Sequence, residues 1–169
     1  QVVEGWRRYY WYGEDRSNGY DNSPGVHAYM STDLYNWTDL GVALRAVTSK
    51  SQLTDKSNAD YAYFDKAYNL TKSDGSVDAA KADAIFPYLN TNPDQDGDGA
   101  VDSVQGIFER PKIIYNKKNK QYVLWWHSDG STTPGGSNYA RALAGVAVSD
   151  NPAGPFTMVG AYRLPNQNN

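Results

Sequence analysis

Two glutamates stand in sequence contexts that could place a carboxylate in a reactive site. Glu109 begins the run Glu-Arg-Pro-Lys, and Glu14 ends an aromatic run. One carboxylic acid can protonate a leaving oxygen while a second carboxylate activates water, which is the chemistry that cleaves glycosidic bonds. Arg110 could hold a neighbouring carboxylate ionised. Taken singly, either glutamate is more commonly a surface residue, so this chemistry is a hypothesis at this point.

The other reactive residue types narrow the chemistry further. The chain has only two histidines and no cysteine. A three-histidine zinc site and thiol or disulfide chemistry are therefore excluded. His127 follows two tryptophans, where a lone histidine is either a packing residue that makes hydrogen bonds or a base.

The aromatic content of the chain is high, at 14%, with 14 tyrosines and 5 tryptophans. Tyrosine and tryptophan offer a flat apolar face and a polar edge, which suits sugars. The alternative is a β-rich fold, because aromatic residues favour strands. The net charge is -3 and the basic residues are scattered, so nucleic acid is not expected as a partner. No apolar run approaches the roughly 20 residues that cross a bilayer, so membrane insertion is not expected either.

An acidic loop at 94–102 has oxygen ligands at alternate positions. Aspartates occupy positions one, three, five and nine of a calcium loop, and Gly99 stands at position six, where the chain must turn sharply. The loop departs from that pattern at position twelve, where Gln105 replaces the expected glutamate. The predicted ligands of a structural calcium ion are Asp94, Asp96, Asp98, Ala100 (through its backbone carbonyl) and Asp102. The alternative is a solvated acidic turn.

Short aromatic and β-branched runs predict strands in both halves of the chain. The runs lie at 9–12, 26–30, 112–115, 122–126 and 144–148. Residues 116–120 are polar and predict a hairpin turn between two of them. The pattern indicates an antiparallel, all-β fold.

A repeat lies within this pattern. Segments 25–41 and 145–160 share a Gly-Val pair, a serine, an aspartate, an aromatic-threonine pair and a glycine, and an aromatic strand precedes each. Repeated units of a few strands are typical of β-propeller blades. The second copy has four strands, near 110–115, 122–127, 142–149 and 156–163, whereas the first lacks its inner strand. Two blades cannot close a ring of four to eight, so the remaining blades must lie outside this sequence or on a second chain.

The two copies flank a polar segment at about 46–106. It contains the acidic loop and a helix-compatible stretch at 78–84. We interpret it as an insertion from the blade junction, so that residues 1–169 form one partial propeller domain.

Four separate motifs occur in a fixed order along the chain: Tyr10-Trp11-Tyr12-Gly13-Glu14; Tyr29-Met30-Ser31-Thr32-Asp33-Leu34 with Asn36-Trp37; Glu109-Arg110-Pro111-Lys112-Ile113-Ile114-Tyr115-Asn116; and Ala147-Val148-Ser149-Asp150 with Gly154-Pro155-Phe156. In this order they resemble glycoside hydrolase family 43, and most closely its exo-β-1,3-galactanase-like branch. The resemblance covers about two thirds of the chain, everything except the insertion, and implies a five-bladed propeller with the active site on the central axis.

The resemblance also implies roles for individual residues. Glu109 matches the second-blade carboxylate, which orients the substrate and tunes the pKa of the acid. Glu14 matches a first-blade contact to a sugar hydroxyl, and Tyr139 lies where a tyrosine contacts substrate. Tyr12 and His127 complete the predicted substrate-binding set. The third-blade acid has no counterpart in this chain.

These observations predict a fragment of an exo-acting, inverting hydrolase of β-1,3-galactan or related β-galactosides, with its catalytic acid outside the chain. Arabinofuranosidase or xylosidase activity is an alternative within the family. Two other classes stay open: a noncatalytic, calcium-stabilised carbohydrate-binding protein and a calcium-stabilised adhesion module. We expect an oligo- or polysaccharide partner and a secreted or periplasmic location in a bacterium.

Overall fold

The computed structural model describes residues 7–19, 22–163 and 165. Its seven strands form two antiparallel sheets, with the order β1-β2-β3 in the first and β4-β5-β6-β7 in the second. The strands are β1 Tyr9–Asp15, β2 Gly25–Ser31, β3 Thr38–Arg45, β4 Gly106–Asn116, β5 Gln121–Gly130, β6 Leu143–Ser149 and β7 Thr157–Tyr162. The all-β prediction is confirmed, and each of the five predicted runs lies within a strand.

The two sheets repeat one arrangement. In both, strands consecutive in sequence are neighbours in the sheet, so that β1-β2-β3 corresponds to β5-β6-β7. The second sheet has an additional strand, β4, which the hairpin turn after Asn116 joins to β5. Asn116 forms this turn by accepting the backbone N–H groups of Lys118 and Asn119 at 3.0 and 3.2 Å. That the sheets are two blades of a five-bladed propeller stays a prediction.

The sheets pack on each other through one face of each. The Tyr12 hydroxyl donates to the Pro152 carbonyl at 2.6 Å, and the Phe156 N–H donates to the Ala43 carbonyl at 2.7 Å. Within the second sheet the ring of Trp126 lies directly over Gly145, where any Cβ would meet ring atoms 2.2 Å away. A glycine is therefore required beneath this tryptophan.

The opposite face of the first sheet is aromatic and open to solvent. Trp11 is 61% exposed, and its ring lies 6.1 Å from that of Tyr29 and 5.8 Å from that of Trp37. Side chains alternate between the faces of a strand, so Trp11 points away from the second sheet while Tyr12 points toward it.

Three helices occupy the segment between the sheets: α1 Ser51–Thr54, α2 Tyr61–Tyr68 and α3 Ala79–Leu89. α3 begins where the helix-compatible stretch predicts, and the Asp78 side chain caps it by accepting the Lys81 N–H at 3.2 Å. The apolar side chains of the helices belong to the same buried cluster as those of the sheets; the fully buried members from this segment include Leu53, Phe64, Leu70 and Leu89. The exact bounds of the insertion stay a prediction. Among the described residues, no helix has the length and apolar character that crossing a membrane requires.

Candidate active site

Glu109 lies at an irregularity in β4 that sets the direction of its side chain. It is paired with His127 on β5, but the next pair joins Lys112 to Trp125, so β4 has one extra residue in this stretch. Arg110, within this bulge, has a φ of 52°. Bulges bend a strand and re-aim side chains, and they are common beside active sites. Glu109 is only 7% exposed.

Both carboxylate oxygens of Glu109 have partners. The Tyr139 hydroxyl donates to Oε1 at 2.8 Å, and His127 Nδ1 lies 3.1 Å from Oε2. The His127 and Tyr139 rings stack, with centroids 6.4 Å apart. A guanidinium nitrogen of Arg16 lies 3.7 Å from Oε1. The carboxylate is thus held in one orientation from three sides.

Glu14 reaches this cluster from the first sheet. Its Oε1 accepts the backbone N–H of Arg110 at 2.8 Å, and its Oε2 accepts from Arg16 at 3.1 Å. Arg16 therefore bridges Glu14 and Glu109 across the two sheets. The structure brings together four of the five predicted sugar-site residues: Glu14, Glu109, His127 and Tyr139.

Tyr12 makes its polar contact elsewhere. Its hydroxyl donates to the Pro152 carbonyl, in the loop between β6 and β7. Burial, together with the nearby phenols of Tyr10 and Tyr122, raises the pKa of Tyr12. Its role as a sugar contact stays a prediction.

Asp129 also belongs to the cluster, although the sequence did not predict it. Its carboxylate is nearly fully buried, and Oδ2 lies 3.0 Å from His127 Nε2. The other oxygen, Oδ1, accepts three backbone N–H groups, from Gly130, Arg141 and Ala142, at 2.9–3.0 Å. The spacing of His127 and Asp129 was the available signal, since residues two apart on a strand share a face.

Arg141 was missed as well. Its guanidinium donates to the carbonyl of Pro87 in α3 and to that of Ser131 at 2.5 Å. Burial lowers the pKa of Arg141. This side chain ties α3 to the loop that carries Tyr139.

The arrangement is suited to holding a polyol. Glu14 and Glu109 present carboxylate oxygens, which accept hydrogen bonds from hydroxyls. Both oxygens of Glu14 and Oε1 of Glu109 already accept from donors, and Oε2 of Glu109 faces the imidazole, so neither carboxylate is free to protonate a leaving oxygen. The cluster can bind and orient a sugar, while a proton donor would have to come from elsewhere.

The acidic loop has the donor atoms that calcium prefers. One carboxylate oxygen from each of Asp94, Asp96 and Asp98 lies within 4.8 Å of the others. A calcium ion with oxygen ligands at about 2.3–2.6 Å spans such separations. Gly97 and Gly99 have φ values of +81° and +91°, which fold the loop tightly around the Asp94 carboxylate. The residues therefore fit a calcium ion.

Positions nine and twelve of the calcium pattern, Asp102 and Gln105, make hydrogen bonds within the protein. Gln105 is buried, and its amide donates to the Thr91 carbonyl at 3.1 Å, within the protein. Asp102 accepts the Gln95 N–H at 3.0 Å. The Gln95 side chain in turn accepts the Lys50 N–H at 2.9 Å, which anchors the loop next to α1.

Comparison with proteins of known structure gives consistent similarity to one group of enzymes. No protein-family model matches the chain, and no curated protein matches it either. An exo-β-1,3-galactanase from Phanerochaete chrysosporium, solved with β-1,3-galactotriose, is 27% identical, with a TM-score of 0.55 over 96% of this chain and 24% of the galactanase. The exo-β-1,3-galactanase from Clostridium thermocellum is 26% identical, with a TM-score of 0.53 over 96% of this chain and 23% of that one.

A β-1,3-galactosidase of glycoside hydrolase family 43, solved with galactodeoxynojirimycin, is 27% identical, with a TM-score of 0.55 over 97% of this chain and 32% of its own. The predicted resemblance to family 43 is confirmed. The chain spans only about a quarter to a third of the length of these family 43 enzymes. Nearly all of its length matches, the segment between the sheets included.

Proposed function

We propose that this chain is part of a family 43 glycoside hydrolase. The enzyme would cleave β-1,3-galactan or related β-galactosides from the end of the polysaccharide. The main support for this function is the cluster in which Glu14 from one sheet and Glu109 from the other both contact Arg16. It occurs in a fold shared with enzymes that act on β-1,3-linked galactose. In this proposal Glu109 orients the sugar by accepting hydroxyl hydrogens, and Glu14 contacts a neighbouring hydroxyl.

The proposed reaction inverts the anomeric carbon. Inversion requires an acid and a base about 6.5–9.5 Å apart, with a water between the base and the sugar. All four carboxylate oxygens of the cluster already face a neighbouring partner, which supports a proton donor outside this chain. The same cluster, without that donor, would serve a noncatalytic carbohydrate-binding protein, so hydrolysis by the complete protein distinguishes the two functions.

We also propose that further blades complete a propeller around this site. The aromatic face on which Trp11 and Trp37 are exposed and Tyr29 is half-buried supports this proposal, because exposed contiguous apolar patches mark interaction surfaces. The blades would belong to a longer polypeptide or to a second chain. A polysaccharide substrate favours a secreted or periplasmic enzyme.

A calcium ion held by the acidic loop is the third part of the proposal. Asp94, Asp96 and Asp98 would provide ligands, together with the carbonyl of Ala100 and the carboxylate of Asp102. The ion would stabilise the segment that precedes β4. Its function would be structural, since the loop provides no group of the Glu109 cluster.

A binding titration tests the sugar site. We expect β-1,3-galactobiose to bind the chain and cellobiose to bind more weakly, as measured by isothermal titration calorimetry. Glu109→Gln should weaken galactobiose binding at least tenfold, because a hydrogen bond to a charged group contributes about 1.5–3 kcal/mol. Asp83→Asn is the matched control, since Asp83 is exposed and pairs with Lys50 away from the site. Unchanged affinity in Glu109→Gln would remove Glu109 from the sugar site.

A further inference from the structure

Asp129 is a buried carboxylate whose contacts define what it can do. Its Oδ1 accepts three backbone N–H groups, and its Oδ2 faces His127 Nε2 at 3.0 Å. Oδ1 is saturated by these three N–H donors, and a carboxylate accepts hydrogen bonds and donates none. His127 must then donate its Nε2 proton to Asp129.

His127 faces a carboxylate on each side. Nδ1 lies 3.1 Å from Glu109 Oε2, while Nε2 lies 3.0 Å from Asp129 Oδ2. A neutral imidazole has one N–H and can donate to only one of them. Because the Nε2–H group donates to Asp129, a hydrogen bond between Nδ1 and Glu109 needs a second proton. This proton lies either on Nδ1 or on Glu109.

We propose that Asp129 is a positioning residue for the sugar site. By fixing the Nε2–H form of His127, it places the second proton between Nδ1 and the Glu109 carboxylate. It also sets the plane of the imidazole, which stacks on Tyr139, the other partner of Glu109. The consequence for sugar binding rests on the proposed function, but the protonation pattern of His127 does not.

Asp129 also stabilises the local structure, because its Oδ1 accepts the backbone N–H groups of Arg141 and Ala142. A loss of affinity after mutation would therefore be ambiguous. The protonation state of each nitrogen of His127 is the readout that a purely structural contact would not move. Nitrogen-15 NMR of the imidazoles reports it directly, and with only two histidines in the chain, His27→Gln assigns the signals.

Two substitutions should place the proton of His127 on opposite ring nitrogens at neutral pH. In Asp129→Asn the introduced amide can keep its oxygen on the backbone donors and turn its NH₂ toward Nε2, so the proton moves to Nδ1. In Glu109→Gln the Tyr139 hydroxyl keeps the amide oxygen at the Oε1 position and leaves the NH₂ facing Nδ1. Nδ1 must then accept, and His127 should be the neutral Nε2–H tautomer.

The wild-type chain should show a protonated Nε2, and Asp129→Asn should lose that proton. Persistence of Nε2–H in a folded Asp129→Asn chain, or an unprotonated Nε2 in the wild type, overturns the proposal. If Asp129→Asn does not fold, the wild-type and Glu109→Gln spectra still decide it, because a Glu109→Gln chain with the proton on Nδ1 contradicts the role of Asp129. A parallel titration should show galactobiose binding about tenfold weaker in Asp129→Asn, the loss expected when a hydrogen bond to a charged group is removed. Absence of binding to the wild-type chain would count against the proposed function alone.

Discussion

At the scale of single residues, the two oxygens of Glu109 have different environments. Oε1 accepts the Tyr139 hydroxyl and lies near Arg16, whereas Oε2 faces the imidazole of His127. A bound sugar hydroxyl would have to share these oxygens or replace one of the partners. Tyr139 is the partner most able to adapt, since it is 49% exposed and lies in a loop.

Tyr139→Phe should weaken galactobiose binding about threefold to tenfold. The substitution removes the donor to Oε1 and keeps the ring that stacks on His127, and a hydrogen bond contributes about 0.5–1.5 kcal/mol net. Calorimetric titration measures the change. Tyr35→Phe is the matched control, because Tyr35 is 89% exposed and outside the site. Equal affinity in Tyr139→Phe and the wild type would show that Tyr139 does not position Glu109.

Residue types and order were enough to predict Glu14, Glu109, His127 and Tyr139 as candidates that the fold then brings together. Asp129 was not predicted, because an aspartate followed by glycine at the end of a strand also suits a turn. Its role depends on three backbone donors, two of which come from residues twelve and thirteen positions later. Contacts of this kind depend on the path of a loop, which residue types alone do not reveal.

At the scale of elements, the first sheet has a charged bridge across all three of its strands. His27 on β2 lies between Asp15 on β1 and Asp39 on β3, with Nδ1 2.8 Å from Asp15 and Nε2 2.5 Å from Asp39. Desolvation by burial opposes protonation of His27, but the hydrogen bonds to Asp39 and Asp15 outweigh it and raise its pKa. Desolvation by burial raises the pKa of Asp15, but hydrogen bonds from Ser17 and His27 outweigh it and lower this pKa. Hydrogen bonds from His27 and the Gly41 N–H lower the pKa of Asp39.

These shifts predict how the stability of the first sheet depends on pH. A raised pKa means that protonated His27 stabilises the fold fully below its ordinary pKa of about 6.5, and that this contribution is lost as the pH rises through the raised value. The aspartates contribute above about pH 4 and lose their contribution on acidification. We expect the difference in unfolding free energy between wild type and His27→Gln to be larger at pH 6 than at pH 9, measured by urea denaturation. A difference that grows with pH would contradict the bridge.

The acidic loop gives a second prediction for an element. If Asp94, Asp96 and Asp98 hold calcium, the ion should stabilise the chain by about 2.7 kcal/mol at a concentration 100-fold above its Kd. Thermal denaturation should show a higher Tm in calcium than in EDTA, and Asp96→Asn should reduce the difference. Asp74→Asn is the control, because Asp74 lies in another exposed loop. An identical Tm in calcium and EDTA would leave the loop as a solvated acidic turn.

Residue types predict the strands better than the helices. Short aromatic and β-branched runs bounded by glycine, asparagine, aspartate or proline predict the strands, because these residue types favour extended backbone and the bounding residues favour turns. α1 and α2 were not predicted, since they are short and their sequences lack a clear helical period. They depend on packing, as the complete burial of Leu53 and Phe64 shows.

At the scale of the whole molecule, one hydrophobic core joins both sheets and the segment between them. The sugar-site cluster depends on this packing, because Glu14 lies on the first sheet, Arg16 directly follows β1, and Glu109 lies on the second sheet. This core therefore positions the residues of the cluster relative to one another. The chain nevertheless matches only about a quarter of the length of the galactanases it resembles.

Binding and hydrolysis should consequently separate in the isolated chain. We expect the pure 169-residue polypeptide to bind β-1,3-galactobiose but to hydrolyse neither β-1,3-galactan nor aryl β-galactosides above the rate of its Glu109→Gln variant. The reason is chemical: both carboxylates of the cluster accept hydrogen bonds, and cleavage needs a group that protonates the leaving oxygen. Chromogenic release and reducing-sugar assays measure the rate, with a complete exo-β-1,3-galactanase as the positive control. Turnover by the wild-type chain that Glu109→Gln abolishes would place the proton donor within these residues and overturn the division of roles proposed for Glu14 and Glu109.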